Sequence, residues 1–115
     1  MVPTADRSLR GGVPFRIDVH PERDCVRVVP VGELDVGTAQ ALETTLRELR
    51  EADFARIVLD LREVGFLESA GLRVIVVATR LARRDGQDLA LISGPPAVQR
   101  VIEMCGMIEQ LHFDS

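Results

Sequence analysis

The amino-acid sequence predicts an α/β domain: a mixed, mostly parallel β-sheet of four to five strands packed against three to four α-helices. Three observations lead there. Apolar residues alternate with polar ones in "FRIDVH", they recur at helical spacing after Asp35, and from that point strand-like and helix-like runs take turns to the C-terminus. With 46% hydrophobic residues but only 3% aromatic ones, the layers must be packed by Val, Leu, Ile and Ala rather than by rings.

Taken in order, "FRIDVH" places Phe15, Ile17 and Val19 on one face of a strand, "PERD" turns, and "CVRVVPVGEL" resumes a strand, which makes a hairpin. Pro30 offers no N–H to a ladder and predicts an edge or a bulge in that second strand. A first helix follows, with Ala39, Leu42, Leu46 and Leu49 on one face and Glu43, Arg47, Glu48 and Arg50 on the other. Asp35, just ahead of it, either accepts N–H groups of the first turn or sits in the preceding loop. "RIVLDL" is short, apolar and β-branched, as in a central strand buried on both faces, and "REVGFLE" reads as a loop.

In "LRVIVVATRLARRDG" the row Val74, Ile75, Val76, Val77 could begin a strand, but a run from Ala70 to Arg84 has helical length. Arginines in its last turn and Asp85-Gly86 after it supply the stop signals. Its nearly all-round apolarity predicts deep packing on the sheet. "DLALIS" is a further strand, Pro96 can start a third helix carrying Ala97, Val98, Val101, Ile102 and Cys105, and "IEQLHF" fits a last short strand. Right-handed crossovers then join the parallel strands.

The 115 residues suit one domain, expected over 13–115, behind a flexible N-terminal segment over 1–12 that shows no apolar periodicity. The formal net charge is -4 and every basic residue is an arginine, scattered without a basic stripe, so direct nucleic-acid binding is not expected. Charged residues punctuate every apolar run, so no membrane span is expected. Cys25 and Cys105 show neither CxxC nor metal-like spacing, no signal peptide is read ahead of them, and a reduced cytoplasmic protein is the simplest reading.

One short stretch, "FLESAGLRV", carries the candidate chemistry. Ser69 opens a helix, where unpaired N–H groups and the positive end of the helix dipole favour anions. Ser69 or Glu68 can simply be the helix cap, and Gly71 can simply allow close helix packing. A nucleophile elbow needs glycine on both sides of the serine, but Leu67 holds the earlier position, and neither His20 nor His112 is spaced as a base for Ser69. No metal-ligand pair and no phosphate-cradling loop occurs, so neither metal nor cofactor is expected and the chain does not read as an enzyme.

"VGELDVGTA" at a strand-to-helix junction, then "LDLREVGFLESAGLRVIV" and "GQDLALISGPPAVQRVIEMCGM", resemble the STAS family of anti-sigma factor antagonists in order and spacing, over about Phe15 to Phe113. The resemblance implies a cytoplasmic binding module that docks on a kinase-type anti-sigma factor and frees the sigma factor held there, regulating transcription. It implies that the partner, a serine kinase, phosphorylates the module to block docking, and that a serine phosphatase restores it. Carried over, the phosphorylated position is Ser69, and the partner-binding set is Asp35, Glu68, Ser69, Ala70, Gly71, Leu72 and Arg73. Glu68 stands where the pattern usually has Asp, which moves the carboxylate by one methylene, and Ala70 stands where Ser or Thr is frequent, which leaves Ser69 the motif's only acceptor. Arg73, one turn on, either reaches back to a phosphate or is a solvated surface residue. The resemblance also covers unphosphorylated scaffolds and accessory subunits of sensory or lipid-transport complexes, and a homodimer is compatible with it.

Overall fold

The computed structural model describes residues 14–114, so the segment expected to be flexible over 1–12 lies outside the described residues. Among the described residues five strands and three helices follow one another: β1 (Arg16–Pro21), β2 (Val26–Leu34), α1 (Ala39–Glu51), β3 (Arg56–Asp60), β4 (Val64–Leu67), α2 (Ser69–Arg84), β5 (Asp88–Ile92) and α3 (Pro96–Met104). The sheet order is β1-β2-β3-β5, with β4 paired to β2. Only β1 and β2 run antiparallel, and the other pairs are parallel. The sheet is therefore mixed and mostly parallel, as expected.

The core is aliphatic. Leu34, Leu42, Leu46, Ile57, Leu59 and Ile75 are fully buried, whereas Phe15, Phe54 and Phe113 pack only at its margin. Each such Leu or Ile contributes about 1.5–3 kcal/mol through burial, before the entropic cost of ordering the chain. Helix α1 packs on α2, α2 on β5, and α3 on β4. Pro96 is placed in the first turn of α3, where its missing N–H costs nothing.

Four expectations need correction. Strand β2 is not at an edge: it carries β1 on one side and, in succession, β3 at 26–28 and β4 at 32–34 on the other. Pro30 falls between those two parallel partners, where neither ladder needs its N–H, and the register irregularity comes later, between Gly32 and Glu33. The expected loop "REVGFLE" contains β4. Its burial runs buried, exposed, exposed, buried, so it lacks the period-two signature by which strands are read.

Helix α2 is not buried all round. Its apolar face includes Gly71, Leu72, Ile75 and Ala82, but Val77 is 42% exposed, because neighbours cover only part of its circumference. The last segment is not a strand: Gly106 adopts φ +70°, Met107 N–H returns to the Ile102 carbonyl at 3.1 Å, and Ile108–Gln110 form a 3-10 turn. What survives of the expected strand is a single parallel bridge between Leu91 and Phe113.

Candidate functional site

The two stretches singled out in the sequence meet because β2 and β4 are parallel neighbours. Leu34 lies opposite Leu67, so the chain leaves both strands side by side, and Glu68 N–H donates to the Leu34 carbonyl at 2.9 Å. From there one branch turns into α1 and the other into α2. A Cβ added to Gly71 would stand 3.0 Å from Leu34 Cβ and 3.1 Å from the Leu34 carbonyl oxygen, so the absent side chain is what lets α2 sit against the end of β2.

Asp35 points inward and is 1% exposed. Its Oδ1 accepts the N–H groups of Gly37 at 3.0 Å and Thr38 at 3.2 Å, and its carbonyl accepts Ala39 N–H at 2.9 Å. The Thr38 hydroxyl donates to the Glu33 carbonyl at 2.6 Å and accepts Asp35 N–H at 3.0 Å. The second of the two sequence readings of Asp35 matches the structure: it lies in the loop ahead of α1, whose cap position is Thr38, and holds that turn from within.

Ser69 is the first residue of α2 and is exposed. Glu68 occupies the cap position with extended backbone, yet no side chain caps the helix. The Glu68 carboxylate instead crosses to the other branch and accepts Val36 N–H at 3.2 Å. The Ser69 hydroxyl has no hydrogen-bond partner among the described residues, so it stands uncommitted beside the N–H groups of the first helical turn. Ala70 is half-buried, Gly71 and Leu72 are buried, and Arg73 is exposed. Of the seven residues expected at the site, Ser69 and Arg73 are exposed, while Asp35, Gly71 and Leu72 form its footing.

Around Ser69 the structure gathers residues that sequence patterns did not indicate. Val36 and Phe66, 76% and 43% exposed, present apolar surface on the adjoining turn and strand. An open groove of about 380 Å³ runs along α2 from Ser69, lined among others by Arg73, Val76, Val77, Arg80, Cys105 and Met107. Arg80 is also bonded to Gln110. The exposure of Val36 could not be read from a turn whose sequence shows no period, and Met107 joins the groove only through the fold at Gly106.

Other reactive groups lie elsewhere. His112 Nδ1 is 3.2 Å from Asp88 at the start of β5, and His20 lies in β1 opposite Arg27. Burial, reinforced by a hydrogen bond to Glu22, pushes the Cys25 thiol up from its ordinary range. Both cysteines are free thiols. Asp60 is buried at the end of β3, where the hydrogen-bonded Arg62 guanidinium holds its carboxyl below the usual range against the cost of burial, with Arg27 also close by. Among the described residues no group of His, Cys, Asp or Glu has a metal-binding arrangement, and no helix is long and apolar enough to cross a membrane.

Comparison with known proteins agrees with this geometry. The chain is 28% identical over 96 residues to an anti-sigma F factor antagonist of Paenibacillus polymyxa, covering 83% of this chain and 82% of the relative. The fold matches the crystal structure of an anti-sigma factor antagonist from Mycobacterium paratuberculosis at TM-score 0.77 and 23% identity, over 88% of this chain and 86% of that one. It also matches SpoIIAA at 16% identity, both unphosphorylated (TM-score 0.62, over 78% and 82% of the two chains) and, from Bacillus, phosphorylated (TM-score 0.65, over 88% and 91%). The family model for the STAS domain matches residues 16–115, and the chain belongs to that family.

Proposed function

We propose that this chain is an anti-sigma factor antagonist that docks the Ser69 end of the domain on a kinase-type anti-sigma factor and is switched off by phosphorylation of Ser69. A serine phosphatase reverses the switch. The observation that carries this reading is an exposed hydroxyl, uncommitted to any cap, at a helix start whose preceding residue is bonded to the turn that exposes Val36 and whose preceding strand exposes Phe66. The names of the relatives support an anti-sigma factor as the partner.

The energetics favour a switch that acts at the interface. A phosphate adds about -1.5 to -2 charges at neutral pH. The start of α2 offsets about 0.3–1 kcal/mol of that in the free domain, so the fold survives. Facing one negative charge of a partner at ~5 Å and an effective dielectric of ~20, the phosphate is repelled by about 5 kcal/mol before screening. Even ~3 kcal/mol surviving weakens docking on the order of a hundredfold. The SpoIIAA fold, shared here, is held by a phosphorylated protein, in keeping with a modification that leaves the domain intact.

The test is affinity for an ATP-binding anti-sigma factor from the same cell, with and without Ser69→Glu. The substituted chain should keep its circular dichroism and unfolding midpoint but bind roughly thirtyfold more weakly, less than the phosphorylated chain because a carboxylate carries about one charge. With ATP, the wild-type chain should gain one phosphate, located at Ser69 by mass spectrometry. Equal binding by folded Ser69→Glu sinks the switch, and a stable complex without phosphate transfer selects the scaffold reading.

A further inference from the structure

On the docking reading above, we infer that Glu68 is a positioning residue: its carboxylate reaches across from the start of α2 to hold the Val36 N–H, and so sets where the exposed Val36 side chain is presented to a partner. Between Asp35 and the first residue of α1 the N–H groups of Val36, Gly37, Thr38 and Ala39 must be satisfied, that of Asp35 itself going to the Thr38 hydroxyl. Asp35 takes the last three through its Oδ1 and its carbonyl oxygen, at 2.9–3.2 Å. Val36 N–H alone among them is accepted from a distant part of the chain, by Glu68 Oε1 at 3.2 Å and 32 residues away.

That reach starts from a fixed base. Glu68 N–H is bonded to the Leu34 carbonyl at 2.9 Å, and the contact of Gly71 with Leu34 presses the first turn of α2 against the end of β2. The Val36 side chain, 76% exposed, has little packing of its own to hold it, so its placement follows the backbone of the turn. One methylene spans about 1.5 Å. An aspartate at position 68, the residue more usual in the family's motif, would leave its carboxylate short of Val36 N–H, beyond hydrogen-bond range. The longer side chain is thus matched to this turn.

The experiment uses the full chain and three variants, Glu68→Asp, Glu68→Gln and Glu68→Ala. Two readouts are taken: hydrogen exchange of the Val36 amide by NMR, and affinity for an ATP-binding anti-sigma factor from the same cell. Glu68→Gln keeps length and an acceptor oxygen, so it should retain slow Val36 exchange and bind within about twofold of wild type. Glu68→Asp and Glu68→Ala should speed Val36 exchange and weaken binding about three- to tenfold, the size expected for one lost hydrogen bond. Unchanged Val36 exchange in Glu68→Asp and Glu68→Ala overturns the tether. Faster exchange with unchanged affinity overturns its role in docking. A Glu68→Gln chain that protects Val36 yet binds as weakly as Glu68→Ala assigns the effect to charge and overturns it too. Failure of the wild-type chain to bind any such factor removes the docking reading and the role of Glu68 with it, whereas the exchange data report on the tether independently of any partner.

Discussion

Where β3 and β5 begin, Arg56 pairs with Asp88 at 3.1 Å and with Asp114 at 2.7 Å, and His112 lies 3.2 Å from Asp88. Where β2 and β4 end, the carboxylates of Asp35 and Glu68 take backbone N–H groups of a turn, while Val36, Phe66 and the Ser69 hydroxyl face solvent. At the first end, charges from three parts of the chain pair with one another and stitch the C-terminal residues to the sheet, the hydrogen bond being made by Arg56 to Asp114 while Arg56 Nε makes none among the described residues. At the second, polar groups hold the backbone, and the side chains of Val36 and Phe66 keep apolar surface open to solvent. Exposed apolar surface beside a modifiable hydroxyl is what a docking face needs, and ion pairs already closed within the domain offer a partner little to gain.

Substitutions can break or sharpen that contrast. The largest effect is expected from Gly71→Val, which puts a branched side chain at a position whose Cβ would stand 3.1 Å from the Leu34 carbonyl oxygen. Overpacking there should cost about 2 kcal/mol of stability, more than the roughly 0.5 kcal/mol gained by removing a helical glycine. The urea midpoint should fall at unchanged slope. An unaltered midpoint would mean that the seat of α2 on β2 is loose.

Val36→Ser should leave the midpoint in place and weaken docking by about 1 kcal/mol, roughly fivefold, measured by titration calorimetry. Weaker docking without lost stability is the signature of a residue that acts only at an interface. The smallest effect belongs to the other end. Arg56→Ala should lower stability by about 0.5 kcal/mol through its half-exposed pairs and leave docking unchanged. Should Arg56→Ala weaken docking as much as Val36→Ser, the partner does not confine itself to the Ser69 end.

The alternation of Ile17 with its polar neighbours, the helical spacing of Ala39, Leu42 and Leu46, and the apolar run "RIVLDL" are local patterns, and each appears in the structure as the element it suggests. Ser69 was likewise legible as a helix start, since a serine before an apolar helical run sits where the first-turn N–H groups are open. Strand β4, the interior place of Pro30 and the outward face of Val77 were not legible. Each depends on which neighbour arrives: Val64 and Leu67 become a strand because β2 has a free edge beyond β3, and Val77 stays exposed because no described element covers it.

What the sequence by itself determined is the order and kind of nearly all the elements and the serine that opens α2, because the spacing of apolar side chains and the chemistry of helix ends act over a few residues. Only the tertiary structure decided that Asp35 turns inward, that Glu68 leaves its own helix uncapped to hold Val36, and that Arg73 and Met107 share a groove. Those outcomes depend on distances of a few ångströms between segments some 30 residues apart in the chain, set by the parallel pairing of β2 with β4 and the close seat of Gly71 on Leu34.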